Sequence, residues 1–144
     1  MSRARAMAAG AVAATIWGVL EPLDQRLCGY DYSDIAVLGK AVTRGRGWRP
    51  VGFAIHAANG MVFGAAYNEL RKRLAVEPRR LALALALAEH VALFPLGVLV
   101  DRYLPARGEP GVPRLISARA FVQATVRHAF FGVVLGRLAG PATS

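Results

Sequence analysis

A chain of 144 residues that is 55% hydrophobic, with a mean hydropathy of +0.36, has room for one domain and is too apolar for an ordinary soluble one. Its net charge of +9 gathers at the ends of apolar runs, as at Arg71, Lys72, Arg73, Arg79 and Arg80. That is where phosphate headgroups lie, and no basic–aromatic interleaving that would stack bases is present, so the lipid bilayer is the expected partner and nucleic acid is not. The single cysteine, Cys28, excludes an internal disulfide and a thiolate metal cage.

Four hydrophobic runs follow in order, and they predict an all-α, four-helix integral membrane bundle forming one domain over 1–144. The first, about 6–23, is alanine-rich and short. It imitates a signal peptide but closes on Glu21-Pro22 with no small-x-small cleavage site, so it reads as a retained span. A polar connection over 24–49 contains Asp31-Tyr32-Ser33-Asp34, which leads into a short interfacial helix over 35–42, capped by Ser33 or Asp31. The second span, about 50–70, opens on Pro50, a favourable early helical residue. A tight basic turn at 71–80 leads to the third, about 81–100, the most continuous run, with a kink expected at Pro95. Residues 101–116, rich in proline and glycine, predict irregular chain. The fourth span, about 117–138, starts at Ser117, a suitable N-cap. The flanking basic residues balance between the two sides. The dense 71–80 cluster favours an inside N-terminus.

Two stretches read alike: His56-Ala-Ala-Asn-Gly60-Met-Val-Phe-Gly64 and His128-Ala-Phe-Phe-Gly132-Val-Val-Leu-Gly136, half a chain apart. Leu20-Glu21-Pro22-Leu23 and Leu93-Phe94-Pro95-Leu96 stand at nearly the same offset. The pattern predicts two similar helical hairpins inserted in the same direction, or chance similarity in an Ala, Gly and Leu-rich chain. Residues four apart share a helix face, so Gly60 with Gly64 and Gly132 with Gly136 form stripes that let helices approach closely. A homodimer through these stripes is one expectation.

Each histidine lies inside one of the last three runs, and ionisable groups there are expensive. At 1.5 Å per residue, His90 and His128 fall near the midplane, roughly 13 and 15 Å from their helix starts, and His56 lies shallower, roughly 8 Å deep. Glu89 and Arg127 share the mid-depth and are expected to pair, since either alone would cost several kcal/mol. Glu21, His56, Asn59, Glu89, His90, Arg127 and His128 thus form a one-sided string suited to a blind ligand or proton pocket. The plainer reading is that the imidazoles hydrogen-bond neighbouring helices. No metal site is expected: no helix offers His-x3-His or Glu-x2-His spacing, and Glu89 and His90 diverge by about 100°. A bis-histidine haem between His90 and His128 meets only the depth requirement, and no cofactor is assigned. No phosphate-cradling loop, nucleophile elbow or carboxylate pair is present. Thr15 and Thr125 are the kind of residue that back-bonds to its own helix.

At the second and third spans the sequence resembles the YagU-type family of small bacterial inner-membrane proteins. The matching residues are His56, Gly60, Phe63 and Tyr67, then His90, Phe94, Pro95 and Leu96, with Glu21-Pro22 resembling an acidic-proline element that closes that family's first span. The resemblance covers about half the chain. This chain is shorter, with a smaller first loop and little tail, and His128 has no counterpart. The resemblance implies a helical inner-membrane protein loosely linked to acid stress, without an established activity. The functional expectation is a non-enzymatic membrane protein with a pH-responsive polar pocket. A haem or metal redox module and a structural partner of a larger membrane complex are the alternatives.

Overall fold

The computed structural model describes residues 1–139, and among them every regular element is helical. Helix α1 spans Arg3–Cys28, α2 Asp34–Val42, α3 Trp48–Arg73, α4 Pro78–Leu93, α5 Gly97–Tyr103 and α6 Ala118–Ala139. A 3-10 turn at Phe94–Leu96 joins α4 to α5, so Pro95 changes the local hydrogen bonding of the rod Pro78–Tyr103 without ending it. Two helices, Arg3–Cys28 and Pro78–Tyr103, are long and apolar enough to cross a membrane. Four were expected. In the other two long helices, α3 and α6, polar residues interrupt the middle of the apolar run, His56 and Asn59 in α3 and Gln123, Arg127 and His128 in α6.

Local chemistry sets the boundaries. Ser2 caps α1, its side chain accepting from the Arg5 amide at 3.2 Å. The helix runs past Pro22, which forfeits only its own amide bond, and stops at Gly29, whose φ of 59° is left-handed. It therefore outlasts the expected first span by more than a turn, carrying Asp24 with it. Ser33 caps α2 through the Ala36 amide at 2.9 Å. Glu77 and Pro78 start α4, the carboxylate accepting from the Arg79 and Arg80 amides at 3.0 and 2.8 Å. Ser117 caps α6 through the Ala120 amide.

The segment between α5 and α6 is irregular, as its composition predicts, but it is tied down. Asp101 accepts from the amides of Leu115 and Ile116 at 2.6 and 2.8 Å. Gly111, with φ of 82°, donates to Asp31 at 2.8 Å and accepts from the Ser33 amide at 3.0 Å. Lys40 and Arg44 both pair with Glu109. The two polar connections thus close one end of the bundle together. The opposite end is closed where Tyr67 donates to the Pro78 carbonyl and Arg71 to that of Ala139. Asp101→Ala removes both amide acceptors and is expected to cost about 1–3 kcal/mol. In thermal unfolding it should act like a lost cap, and a change under 0.5 kcal/mol (estimated from the typical surface substitution) would mean that the 104–117 segment is held by its other bonds.

The long helices form two intimate pairs, α1 with α3 and α4 with α6, joined by contact between α1 and α6. Both glycine stripes lie inside these pairs. A Cβ on Gly60 would meet the Gly10 carbonyl oxygen at 2.4 Å and the Ala14 Cβ at 2.7 Å, and one on Gly64 would meet the Ala6 oxygen at 2.2 Å. In the second pair, Gly132 faces the Leu83 Cα and Ala86 Cβ, and Gly136 faces the Arg79 Cα. Against Gly64 and Gly60 stand residues 6, 10 and 14, and against Gly136 and Gly132 stand 79, 83 and 86, so both pairs are packed through close small-residue contacts. The stripes are filled within one chain. A dimer contact would need another face.

The core is small and the surface is large. Ala6, Ala13, Ala82 and Ala86 are among the most buried residues, whereas Val19, Leu27, Val62 and Val91 are at least 60% exposed.

Candidate functional site

The most enclosed chemistry gathers around Arg127, which is 2% exposed. Its Nε and Nη2 donate to Asp24 at 2.6 and 2.8 Å, a bidentate pair. Its Nη1 donates to Asp34 at 3.0 Å and its Nη2 also to the Tyr32 carbonyl at 2.6 Å. The rings of Trp17 and Tyr32 lie 5.2 and 4.7 Å from the guanidinium carbon. The expected Glu89–Arg127 pair is therefore not formed. The two residues share a depth, but Arg127 points toward α1 and α2, where Asp24 and Asp34 meet its planar fork. Gln123, one turn earlier on α6, donates to the same Asp24 carboxylate at 2.7 Å.

Glu21 also stands apart from the expected string. Its carboxylate accepts from the Ser33 hydroxyl at 2.5 Å and from the amides of Asp34 and Ile35 at 2.7 and 3.3 Å. It sits on the N-terminus of α2, where amides and helix dipole favour an anion. It lies 3.6 Å from Arg127. Burial by itself would raise the Asp34 carboxyl, but Arg127 beside it outweighs that and holds it below the usual carboxylate range. Tyr32, buried and donating its hydroxyl to Asp34, is pushed well above the usual phenol range, first by burial and then by the Asp34 charge.

The other predicted residues do come together. His56, Asn59, Glu89, His90, Arg127 and His128 line one cavity of about 920 Å³. Its remaining wall is largely apolar and aromatic. It lies where α3 and α4 make little contact, and exposed residues such as Val62, Leu93 and Leu96 form part of its lining, so it opens sideways between those helices. The His90 and His128 rings stack with centroids 4.8 Å apart and planes 31° apart.

Hydrogen bonding fixes what these rings present. Thr125 donates its one hydroxyl proton to the Phe121 carbonyl at 2.8 Å, the expected back-bond. His90 Nε2, 2.9 Å from the same oxygen, must therefore be the donor, and this hydroxyl–imidazole pair is not an activated nucleophile. The Ala124 carbonyl can only accept, so His128 donates to it from Nδ1 at 2.8 Å, and a neutral His128 keeps Nε2 as an acceptor. His56 Nε2 and Trp17 Nε1 are buried without partners. Two stacked imidazoles leave no gap for a macrocycle between them, so the bis-histidine arrangement does not fit. Among the described residues no three His, Cys, Asp or Glu side chains are grouped to hold a metal ion.

Sequence reading missed Trp17, Asp24, Tyr32 and Asp34 as members of the polar centre. The signal was present. Trp17, Glu21 and Asp24 recur at helical spacing on one face of α1, as Gln123 and Arg127 do on α6. Comparison with models of known families, with curated proteins and with solved structures gives no match.

Proposed function

We propose that this chain is a small multi-pass membrane protein, its four long rods crossing a bacterial inner membrane, that binds a ligand in the cleft between α3 and α4 without converting it. The observation that carries the reading is the inverted distribution of side chains. Alanine and glycine fill the interior together with Arg127, Gln123, Glu21 and Asp24, while valine, leucine and isoleucine cover the outside. A water-soluble bundle gains its stability by burying the large apolar groups. A bundle in lipid holds together by close packing and buried polar bonds, with the large apolar groups turned to the acyl chains. The resemblance to YagU-type proteins supports the same location.

Within the cleft, His56, His90 and His128 are the side chains that can gain a positive charge on acidification. Charging them would place like charges on the two stacked rings and beside the committed Arg127, loosening the α4–α6 contact or admitting a solute. Two measurements test this. The protein should remain in the membrane fraction after alkaline carbonate washing. In mild detergent, its thermal stability should fall as pH is lowered from 8 to about 5.5, through the histidine range. A variant with all three histidines replaced by glutamine should lose that pH response. Extraction by carbonate defeats the membrane assignment, and an unchanged pH response in the triple variant defeats the histidine role.

A further inference from the structure

The charge around the cleft points to the class of ligand. Arg127, the one permanently cationic side chain in its wall, is fully committed. Its edges donate to Asp24, Asp34 and the Tyr32 carbonyl, and the Trp17 and Tyr32 rings lie against it. It has little left to offer an anion. The carboxylates outnumber it. Asp24, behind the wall, and Asp34, on it, share it, and Glu89, half-buried on the cleft wall, has no hydrogen bond or ion pair among the described residues. With the histidines neutral, the lining sets two carboxylates, Asp34 and Glu89, against one guanidinium whose charge Asp24 already shares from behind the wall, in a medium that screens charge poorly. Phe63, Phe94 and Phe131 also line the cleft, and aromatic faces attract cations. His128 Nε2 adds a lone pair, and the N–H groups of His90 and His128 are already spent on Thr125 and the Ala124 carbonyl.

We propose that the cleft binds hydrophobic organic cations, entering sideways between α3 and α4, with Glu89 as the counter-charge and the aromatic wall covering the apolar body. The inference rests on the cleft being a ligand site and goes beyond it in naming the ligand's charge. A volume of about 920 Å³ is in the range of small-molecule sites. Protons should compete with such a ligand. The titratable and charged groups facing Glu89 across the cleft are His90 on its own helix, His56 and Tyr67 on α3, Arg127 and His128 on α6, and Tyr32 and Asp34 at the start of α2. Acidification either adds positive charge to these groups or removes negative charge, so affinity for a cation falls as pH falls.

The test uses two probes of the same shape and opposite charge, tetraphenylphosphonium and tetraphenylborate, titrated into the purified full chain in detergent with empty micelles as blank. Saturable binding of the phosphonium at pH 8 is expected, about tenfold weaker at pH 5.5, with the borate binding at least tenfold more weakly at pH 8. Glu89→Gln should lose about tenfold in phosphonium affinity while melting within a degree or two of the parent, because Glu89 makes no bond within the fold. If the borate binds as tightly as the phosphonium, the cleft is a ligand site without charge selection, and the cation proposal falls alone. If neither probe binds, the cleft reading falls with it. Full phosphonium affinity in Glu89→Gln overturns the assigned counter-charge.

Discussion

Replacing Arg127 by methionine is expected to destabilise the bundle by about 3–5 kcal/mol, the largest effect of any single polar substitution in the chain. Methionine fills much of the same space, so the loss would not come from a cavity. It would come from Asp24 and Asp34, left as carboxylates without a counter-charge, and from the Tyr32 carbonyl, left with only the Gln25 amide at 3.2 Å. The guanidinium also spaces α1 from α6, bridging residues that are otherwise a hundred positions apart in sequence. Arg127→Lys keeps the charge but not the fork. One ammonium cannot serve Asp24 bidentately and reach Asp34 and Tyr32 as well, so an intermediate loss is expected. Asp24→Asn in the Arg127→Met background removes one stranded charge and should recover part of the loss. Thermal or denaturant unfolding in detergent measures all three. A methionine variant within about 1 kcal/mol of the parent, the scale of an exposed ion pair, would mean that water reaches the cluster and screens it.

This centre is also where sequence reading reached its limit. Helix positions, the caps at Ser33 and Ser117, the irregularity at Pro95 and the two glycine stripes are local properties. They depend on a residue's neighbours within a turn or two, and each could be read from the chain. Depth along a helix is nearly as legible, since rise per residue is constant. Depth put Glu89 and Arg127 at the same level, and that much was sound. It does not fix the direction in which a side chain points. On α6 the face that meets α4 is set by Gly132 and Gly136, and His128 lies on that side. Arg127, one residue earlier and about 100° around the helix, is turned toward α1. Its acceptors came from outside the expected spans. Asp24 is there because α1 continues past Pro22, and Asp34 because α2 folds back over the end of the bundle. Glu21 looked like a pocket acid by its position at the end of an apolar run. It proves to anchor α2, a role visible only once the amides of Asp34 and Ile35 are found in front of it.

The glycine contacts between helices are graded, and so are the expected costs of filling them. A Cβ on Gly10 would lie 2.0 Å from the Gly60 carbonyl oxygen, and a Cβ on Gly60 would lie 2.4 Å from the Gly10 oxygen. Neither neighbour is a side chain that can swing away. Both are helix backbone, so α1 and α3 must move apart, and every small-residue contact along them weakens together. The α4–α6 pair is looser: a Cβ on Gly132 would lie 2.8 Å from the Leu83 Cα, and one on Gly136 3.1 Å from the Arg79 Cα. Against these clashes stands the helix propensity of alanine, better than that of glycine by about 1 kcal/mol. Overpacking costs typically 1–3 kcal/mol and sometimes more, so the two terms compete. At Gly10 and Gly60 the clash should win, with alanine destabilising by at least ~2 kcal/mol. At Gly136 the terms should nearly cancel, leaving a change of less than ~1 kcal/mol of either sign. Gly132 should fall between. Unfolding of the four single alanine variants in detergent tests the order as well as the size. If Gly10→Ala and Gly136→Ala prove equally mild, the α1–α3 pair can relax apart without penalty. Its close approach would then be a consequence of the two polar ends and not the contact that holds the first hairpin together.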